Sequence, residues 1–148
     1  LQHPFTKMMK GQMVPGHPLY LFFVMRERIR LLLTKDPSLH MRLQIEYARE
    51  RLEATDTLLR GGETSLAITT LSKAEAYLGS ASNEFMRSST VGNRSEADVQ
   101  SLVDAIELHL KYMASIKESL SDEDKSRLDE IQEYTTSMHR TLEEFFHM

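Results

Sequence analysis

Apolar residues recur at steps of three and four through most of this 148-residue chain. That spacing places them on one face of an α-helix, because a helix has about 3.6 residues per turn. The pattern is clearest in the series Val99, Leu102, Val103, Ile106, Leu110, Met113, Ile116 and Leu120. No window alternates between apolar and polar residues for long enough to indicate a half-buried strand. The spacing therefore predicts an all-α protein.

Capping residues divide this pattern into five predicted helices. Asp36, Ser95 and Ser121 are typical of helix starts, because a side-chain oxygen there accepts a hydrogen bond from a free backbone N–H group. Gly61-Gly62 is typical of a helix end at which the chain reverses. The predicted helices cover 18–33, 37–60, 64 to about 85, 95–120 and 121 to about 145.

Short connections make consecutive helices antiparallel. We therefore predict an up-and-down antiparallel helical bundle of four long helices plus a shorter N-terminal helix. The shorter helix either joins the bundle as a fifth member or packs across one end. Its apolar stripe consists of Leu19, Phe22, Phe23, Ile29, Leu32 and Leu33.

The first residues differ in composition from the rest of the chain. Three of the four prolines lie in the first 18 residues, together with Gly11 and Gly16. Proline lacks a backbone donor and glycine adds conformational freedom, so we predict an extended leader over 1–17. Residues 18–148 form a single predicted helical-bundle domain, which is large enough to bury a core without metals or disulfides.

Composition excludes several function classes. The chain contains no cysteine, which excludes thiol catalysis, cysteine-based zinc sites and iron–sulfur clusters. It contains no Gly-x-Ser-x-Gly, no phosphate-binding glycine loop and no His-Glu-x-x-His, so we expect neither catalytic residues nor a cofactor.

The longest apolar run near the start covers 19–25, far short of the roughly 20 residues that a membrane span needs. A net charge of −4 disfavours nucleic-acid binding.

The net charge conceals an uneven distribution. Residues 1–94 contain 13 basic and 9 acidic residues, whereas 95–148 contain 5 basic and 13 acidic residues. Such segregation holds two parts of a bundle together or presents opposite faces to partners or to a second copy. We favour the internal explanation, because antiparallel packing brings the two portions into contact.

Two sets of residues are candidate metal ligands. His139, Glu143 and His147 lie at steps of four on the last predicted helix, where imidazole and carboxylate groups suit zinc, copper or nickel. The leader brings thioethers and imidazoles together in His3, Met8, Met9, Met13 and His17. Thioether ligands favour Cu(I). The simpler interpretations are a solvated helix face for the first set and gap filling or partner contact by methionine for the second.

A third set consists of carboxylates on the second predicted helix. Glu46, Glu50 and Glu53 lie at steps of four and three, and acids from two helices can bind a di-metal centre. Ferritin-like centres also need Glu-x-x-His motifs, which this chain lacks. Arg42, Arg49 and Arg51 are interleaved with these acids, so we predict surface ion pairing instead.

Several segments together resemble a known family. They are Val14-Pro15-Gly16-His17-Pro18-Leu19-Tyr20, then Arg28-Ile29-Arg30-Leu31, Asp36-Pro37, and Ala48-Arg49-Glu50-Arg51-Leu52 followed by Glu53-Ala54. In order and spacing they resemble a bacterial domain of unknown function found in predicted exported or membrane-anchored proteins, which open with Pro-Gly-x-Pro-Leu-Tyr. The resemblance covers 14 to about 85, and departs from the family where Phe22-Phe23-Val24 replaces a usual basic residue. It implies an extracytoplasmic helical domain and attaches no activity.

We therefore expect a non-enzymatic, extracytoplasmic helical bundle that acts through protein–protein contacts in the bacterial cell envelope, with a partner protein or with itself. The alternative is a metal-binding envelope sensor or metal-handling protein for copper, zinc or nickel. The chain starts at Leu1 rather than Met, which is compatible with a signal peptide or anchor upstream of it. No membrane span is expected within the chain itself.

Overall fold

The computed structural model describes residues 19–89 and 95–147, and in this part of the chain every regular element is helical. The helices are α1 (Tyr20–Leu33), α2 (Pro37–Arg60), α3 (Thr64–Ser89), α4 (Glu96–Ile116) and α5 (Asp122–His147). The prediction of an all-α protein is confirmed for these residues. The predicted leader over 1–17 lies outside them.

The predicted capping residues begin three of the helices. The Asp36 carboxylate accepts a hydrogen bond from the Ser38 backbone N–H at 3.1 Å. The Ser95 hydroxyl accepts one from Asp98 at 3.3 Å. The Ser121 hydroxyl accepts one from the Asp124 backbone N–H at 3.2 Å and donates to the Asp124 carboxylate at 3.0 Å. These bonds satisfy backbone donors that have no partner inside a helix.

The reversal between α2 and α3 depends on one glycine conformation. Gly62 has a φ of +81°, in the left-handed region that residues with a Cβ rarely adopt. Just beyond it, the Glu63 backbone N–H donates to the Leu58 carbonyl at 2.9 Å. The tight turn lays α3 along α2, and these two helices share the most extensive packing in the described part of the fold.

Helix α4 ends four residues earlier than its apolar pattern predicts. A short 3-10 turn, Lys117–Ser119, follows Ile116. The Ser119 hydroxyl donates to the Ile116 carbonyl at 2.7 Å, and the Leu120 N–H donates to the Lys117 carbonyl at 3.2 Å. These tighter bonds end the helix while Leu120 stays buried. The apolar step pattern continues through the turn because Leu120 still faces the core.

The core consists of two clusters of buried side chains. One contains Met41, Ala48, Leu78, Ala81, Phe85, Leu102, Ile106, Met138 and Leu142. The other contains Leu52, Ile68, Leu71, Met113, Ile116, Leu120 and Leu128. Helix α3 contacts α2, α4 and α5, so it contributes to both clusters. The predicted apolar stripes of the four long helices are thus the ones that pack together.

The first helix behaves differently from the other four. Its backbone packs against α2, and none of its residues is buried. The predicted stripe is wrong as a buried face, since Phe22, Ile29, Leu32 and Leu33 are exposed. The physical reason is that another side of α1, carrying Tyr20 and Glu27, makes the contacts with the bundle.

Candidate functional site

One buried arginine attaches α1 to the rest of the fold. The Arg51 side chain lies on α2 and is almost inaccessible to solvent. Its Nη2 donates to Glu27 Oε2 at 2.6 Å, and its Nη1 donates to Glu27 Oε1 at 3.3 Å. A two-pronged contact of this kind fixes the orientation of both groups as well as their distance. Glu27 therefore sets how α1 lies on α2.

Aromatic rings surround the Arg51 guanidinium. Its carbon lies 5.5 Å from the centroid of the Tyr20 ring and 5.8 Å from that of the Tyr77 ring. The Tyr77 ring makes an edge contact with Tyr47, with the centroids 5.8 Å apart. Ring faces attract a cation that has left water, so this setting compensates part of the desolvation of Arg51. The site joins α1, α2 and α3.

Three groups at this junction, Arg51, Tyr47 and Tyr77, have pKa values above their ordinary ones. Burial lowers the pKa of Arg51, but the Glu27 carboxylate more than offsets this, and the pKa ends above its ordinary value. Burial raises the pKa of Tyr47, with Arg30 acting in the opposite direction. Burial and then the Glu27 charge raise the pKa of Tyr77. The junction therefore supplies a fixed positive charge and neutral hydroxyl groups.

Two buried polar atoms at this junction lack hydrogen-bond partners in the described structure. They are Arg51 Nε, a donor, and Gln44 Oε1, an acceptor. The amide nitrogen of Gln44 is used, since it donates to the Ser80 hydroxyl at 2.6 Å. Unpaired buried polar atoms are costly and uncommon in native proteins. Leaving these two atoms unpaired therefore costs free energy in the folded state.

Both unpaired atoms belong to residues that line an open groove of about 640 Å³ between α1 and α3. Apolar walls are contributed by Leu21, Val24, Met25, Ala76 and Tyr77, and cationic groups by Arg28 and Lys73. The volume lies within the range of ordinary ligand sites. We refer to this feature as the α1–α3 groove. Its lining combines apolar walls with positive charge.

The predicted carboxylate set lies on the other side of α1. Glu46, Glu50 and Glu53 line a smaller cavity of about 330 Å³, together with Arg26, Arg30 and Arg49. Arg49 Nη1 lies 3.9 Å from Glu53 Oε1. This contact between two exposed side chains fits the predicted ion pairing on a helix surface. Arg42 pairs with Asp98 of α4 instead.

The predicted metal ligands are only partly described. His139 Nδ1 lies 3.7 Å from Glu143 Oε1, and its Nε2 lies 3.4 Å from Glu107 on α4. In the described ranges, no three such groups are arranged to hold a metal ion. The side chain of His147 lies outside the described residues, as do His3, Met8, Met9, Met13 and His17.

Sequence reasoning missed the buried polar residues that connect the helices. Glu75 and His109 form a pair between α3 and α4 at 2.6 Å. The prediction that Arg51 takes part in surface ion pairing is wrong, because its side chain is buried and pairs with Glu27 on α1. A signal was present, because His109 continues the step pattern of Leu102, Ile106 and Met113. A polar residue in register with an apolar stripe indicates a buried polar contact.

One ion pair connects the basic and acidic portions of the chain, in agreement with the internal explanation. The carboxylate of Asp98 at the start of α4 accepts hydrogen bonds from Arg42 at 3.0 Å and from Ser38 at 2.6 Å. This ion pair joins the basic and acidic portions of the chain. Most other acidic side chains of α4 and α5 are exposed. The acidic portion therefore presents a charged surface as well as contributing to internal contacts.

Comparisons with known proteins identify one family. A family model described as a domain of unknown function (DUF5667) matches residues 12–144. No curated protein matches the chain, and no solved structure does. The matched region extends well beyond 14–85, the part over which the sequence resemblance was recognised. Among the helices described above, none has the length and apolar character needed to cross a membrane.

Proposed function

The chain belongs to the DUF5667 family, and from this premise we propose that it is a non-enzymatic helical bundle that acts through protein–protein contacts in the bacterial cell envelope. The observation that carries the proposal is the α1–α3 groove, whose lining combines apolar side chains with the cationic side chains of Arg28 and Lys73.

The chemistry of the groove defines the partner. Arg28 and Lys73 place two positive charges in the lining, while Leu21, Val24 and Tyr77 supply apolar contact. A segment with apolar side chains and an acidic residue is complementary to both. We propose that such a segment of a partner protein lies between α1 and α3.

The proposed architecture is an up-and-down antiparallel bundle of α2, α3, α4 and α5, with α1 as an added arm along one side. Two observations support it. Three residues, Gly61, Gly62 and Glu63, separate α2 from α3, and a 3-10 turn occupies most of the connection between α4 and α5. Connections this short favour antiparallel neighbours. An arm of this kind has one side available for a partner.

An extracytoplasmic location belongs to the same proposal. The absence of cysteine is compatible with an oxidising compartment, and the resemblance at 14–85 is to predicted exported proteins. Fractionation of the bacterium that produces the chain tests this location directly. Recovery in the envelope or secreted fractions is expected. Recovery in the cytosol alone would contradict the envelope role and leave the groove proposal to its own test.

Site-specific photocrosslinking tests the groove. A photoreactive residue replaces Ala76, which lines the groove, or Ala114, an exposed alanine of α4 that serves as the matched control. We expect a discrete adduct with a partner protein from Ala76 and none from Ala114. The adduct should disappear when Lys73→Glu and Arg28→Glu reverse the charges in the lining. Equal adducts from both positions would contradict docking in the groove.

Metal binding is the alternative function and has its own measurement. Thermal melts with Zn(II), Ni(II), Cu(II) or Cu(I) are expected to show no saturable shift if the protein acts through the groove. A saturable shift that is lost in His139→Ala with His147→Ala would favour a site on α5. A shift that is lost on deletion of residues 1–17 would favour the leader.

A further inference from the structure

The side of α1 that faces away from the bundle is almost entirely apolar. At about 100° per residue, its exposed side chains fall within an arc of about 120° on the helix. Their exposed fractions run from 53 % for Ile29 to 82 % for Leu32. The set is Leu21, Phe22, Met25, Ile29, Leu32 and Leu33. We refer to this as the outer face of α1.

Arginines flank the outer face on both edges. By the same helical geometry, Arg28 lies at one edge and Arg26 and Arg30 lie at the other. All three are exposed. The acidic residue of α1, Glu27, points the opposite way and is paired with Arg51. The helix therefore presents an apolar strip bordered by positive charge, without an acidic side chain of its own beside it.

A second copy of the chain is a poor occupant for this face. Helix α1 has 14 residues and is therefore about 21 Å long. One face of so short a helix offers well under the roughly 800 Å² per partner that a stable dimer interface buries. Pairing two outer faces also brings the flanking arginines of both copies toward one another. Area and charge both argue against self-association through α1 alone.

An anionic lipid surface matches the same features. Apolar side chains of an interfacial helix enter the boundary between headgroups and acyl chains, while long basic side chains at its edges reach lipid phosphates. A bilayer surface is flat, so the whole length of the helix contacts it at once. Negative lipid charge adds electrostatic attraction for each basic residue near the surface.

The charge distribution of the fold favours one orientation on such a surface. Backbone packing of α1 is with α2, whereas α5 packs on α3 and α4. The helices α4 and α5 carry most of the exposed acids in the described ranges. When α1 lies on an anionic membrane, the acidic side chains of α4 and α5 are kept away from the negatively charged lipid headgroups. The uneven distribution of charge along the chain thus favours one orientation of the bundle on the membrane.

We propose that α1 binds an anionic membrane surface through its outer face, lying in the plane of the interface without crossing the bilayer. Arg26 and Arg28 contact lipid phosphates, and Ile29 and Leu32 enter the apolar boundary. This interaction uses the side of α1 opposite its contact with the bundle. Leu21, Met25 and Arg28 also line the α1–α3 groove, whereas Ile29 and Leu32 do not, so the Ile29→Ser with Leu32→Ser variant distinguishes lipid binding from the proposed peptide contact. The protein is then a peripheral membrane protein whose bundle projects from the lipid.

Flotation with lipid vesicles tests the proposal on the whole 148-residue chain. We expect binding to vesicles of phosphatidylcholine mixed with phosphatidylglycerol, and little binding to vesicles of phosphatidylcholine alone. Two charge substitutions, Arg26→Gln with Arg28→Gln, should weaken binding about tenfold or more. Two apolar substitutions, Ile29→Ser with Leu32→Ser, should abolish it. All four positions are exposed, so the variants are expected to fold, which circular dichroism checks.

Matched controls lie on the acidic helices. Lys111→Gln with Arg140→Gln removes the same amount of charge, and Leu108→Ser removes an apolar side chain that is 52 % exposed. These variants should bind like the native chain.

The proposal fails if anionic vesicles do not bind the native chain, or if the controls weaken binding as much as the α1 variants do. It also fails if sedimentation shows a dimer that Ile29→Ser with Leu32→Ser dissociates. Loss of vesicle binding while the Ala76 adduct persists would separate this surface from the groove.

Discussion

The Nδ1 atom of His109 on α4 lies 2.6 Å from a carboxylate oxygen of Glu75 on α3, and each side chain is only 1 % exposed. The other carboxylate oxygen of Glu75 is buried and has no hydrogen-bond partner in the described structure. Burying these two groups is costly unless they satisfy each other. The pair therefore couples α3 to α4 in a way that depends on both residues.

A double-mutant cycle on this pair should be strongly non-additive. His109→Leu leaves a carboxylate buried without its partner, so we expect it to lower the free energy of unfolding by about 3 kcal/mol. Glu75→Met should also destabilise the protein. The double variant should recover most of the loss, because apolar groups of similar size replace both polar ones. Urea denaturation measures all four proteins. Additive losses would show that the two groups do not stabilise each other.

The core assignment predicts large effects at two residues with no exposed surface. Leu71 and Ile106 are both 0 % exposed, and Leu71→Ala or Ile106→Ala should each cost about 2 to 5 kcal/mol. Leu108→Ala is the control, since Leu108 lies on the same helix as Ile106 and is exposed. Its effect should stay within about 0.5 kcal/mol. Denaturant titration distinguishes these outcomes, and neutral behaviour at both buried sites would contradict the packing.

The contact between Glu27 and Arg51 predicts a local effect on α1. Glu27→Gln removes the charge that holds the Arg51 guanidinium, so α1 should detach more often while α2 to α5 stay folded. We expect backbone amides of Tyr20–Leu33 to exchange hydrogen about tenfold faster or more, with little change in the centre of α3. Glu130→Gln, at an exposed acid of α5, provides the control. Equal acceleration in all helices would mean that the contact supports the whole bundle.

Helices α5 and α3 approach each other closely at Gly79. The effect of Gly79→Ala on stability should therefore depend on the neighbouring side chain of Tyr134. A Cβ at this position would overlap the hydroxyl of Tyr134 and come within 3.5 Å of Met138 Cε. Alanine also favours a helix by about 1 kcal/mol over glycine. Gly79→Ala should therefore stabilise the protein by about that amount in a Tyr134→Ala background, and by less in the native background. Thermal melts of the four proteins test this. Equal gains in both backgrounds would show that Tyr134 does not restrict the site.

Tyr112 predicts a loss of stability at alkaline pH. Its hydroxyl donates to Asp56 at 3.3 Å, and burial followed by the Asp56 charge raises the pKa of Tyr112 well above 10.0. As the pH rises through about 10, the unfolded tyrosine ionises first, so the folded state loses stability relative to the unfolded state.

The matched variant is Tyr112→Phe, which lacks the ionisable group. It should be less stable than the native protein by about 1 kcal/mol near neutral pH. That difference should shrink above about pH 10, because only the native protein loses the contribution of Tyr112. Urea denaturation near pH 8 and near pH 11 measures it. A difference that stays constant or widens would contradict the raised pKa of Tyr112.

Short-range chemistry made most of the helix boundaries predictable. Asp36, Ser95 and Ser121 act within three residues of themselves, and Gly62 acts through its own backbone angle. The core face of each long helix follows from apolar steps such as Leu102, Ile106 and Met113. The end of α4 was less predictable. Leu120 is buried and continues the apolar pattern of the helix, although a 3-10 turn separates it from the end of α4 at Ile116.

The site depended on contacts that the sequence does not encode locally. Glu27 and Arg51 are 24 residues apart, and Glu75 and His109 are 34 residues apart. Which acid meets which base depends on how the helices lie against each other. Of the ion pairing predicted around the acids at 46–53, the contact between Arg49 and Glu53 is present, because these residues are neighbours on one helix. Arg51 instead pairs with Glu27 on another helix.

The sequence by itself determined that this chain is helical, where most of its helices begin and end, and which face of each long helix enters the core. These properties depend on capping groups and on a periodicity that is complete within a few turns. Tertiary structure alone decided that α1 turns Tyr20 and Glu27 toward the bundle and leaves Phe22, Ile29 and Leu32 exposed. An apolar stripe shows that a helix has a face to bury. The stripe does not show which side of the helix meets the bundle. In this protein that side carries Glu27, which pairs with the buried Arg51 of α2.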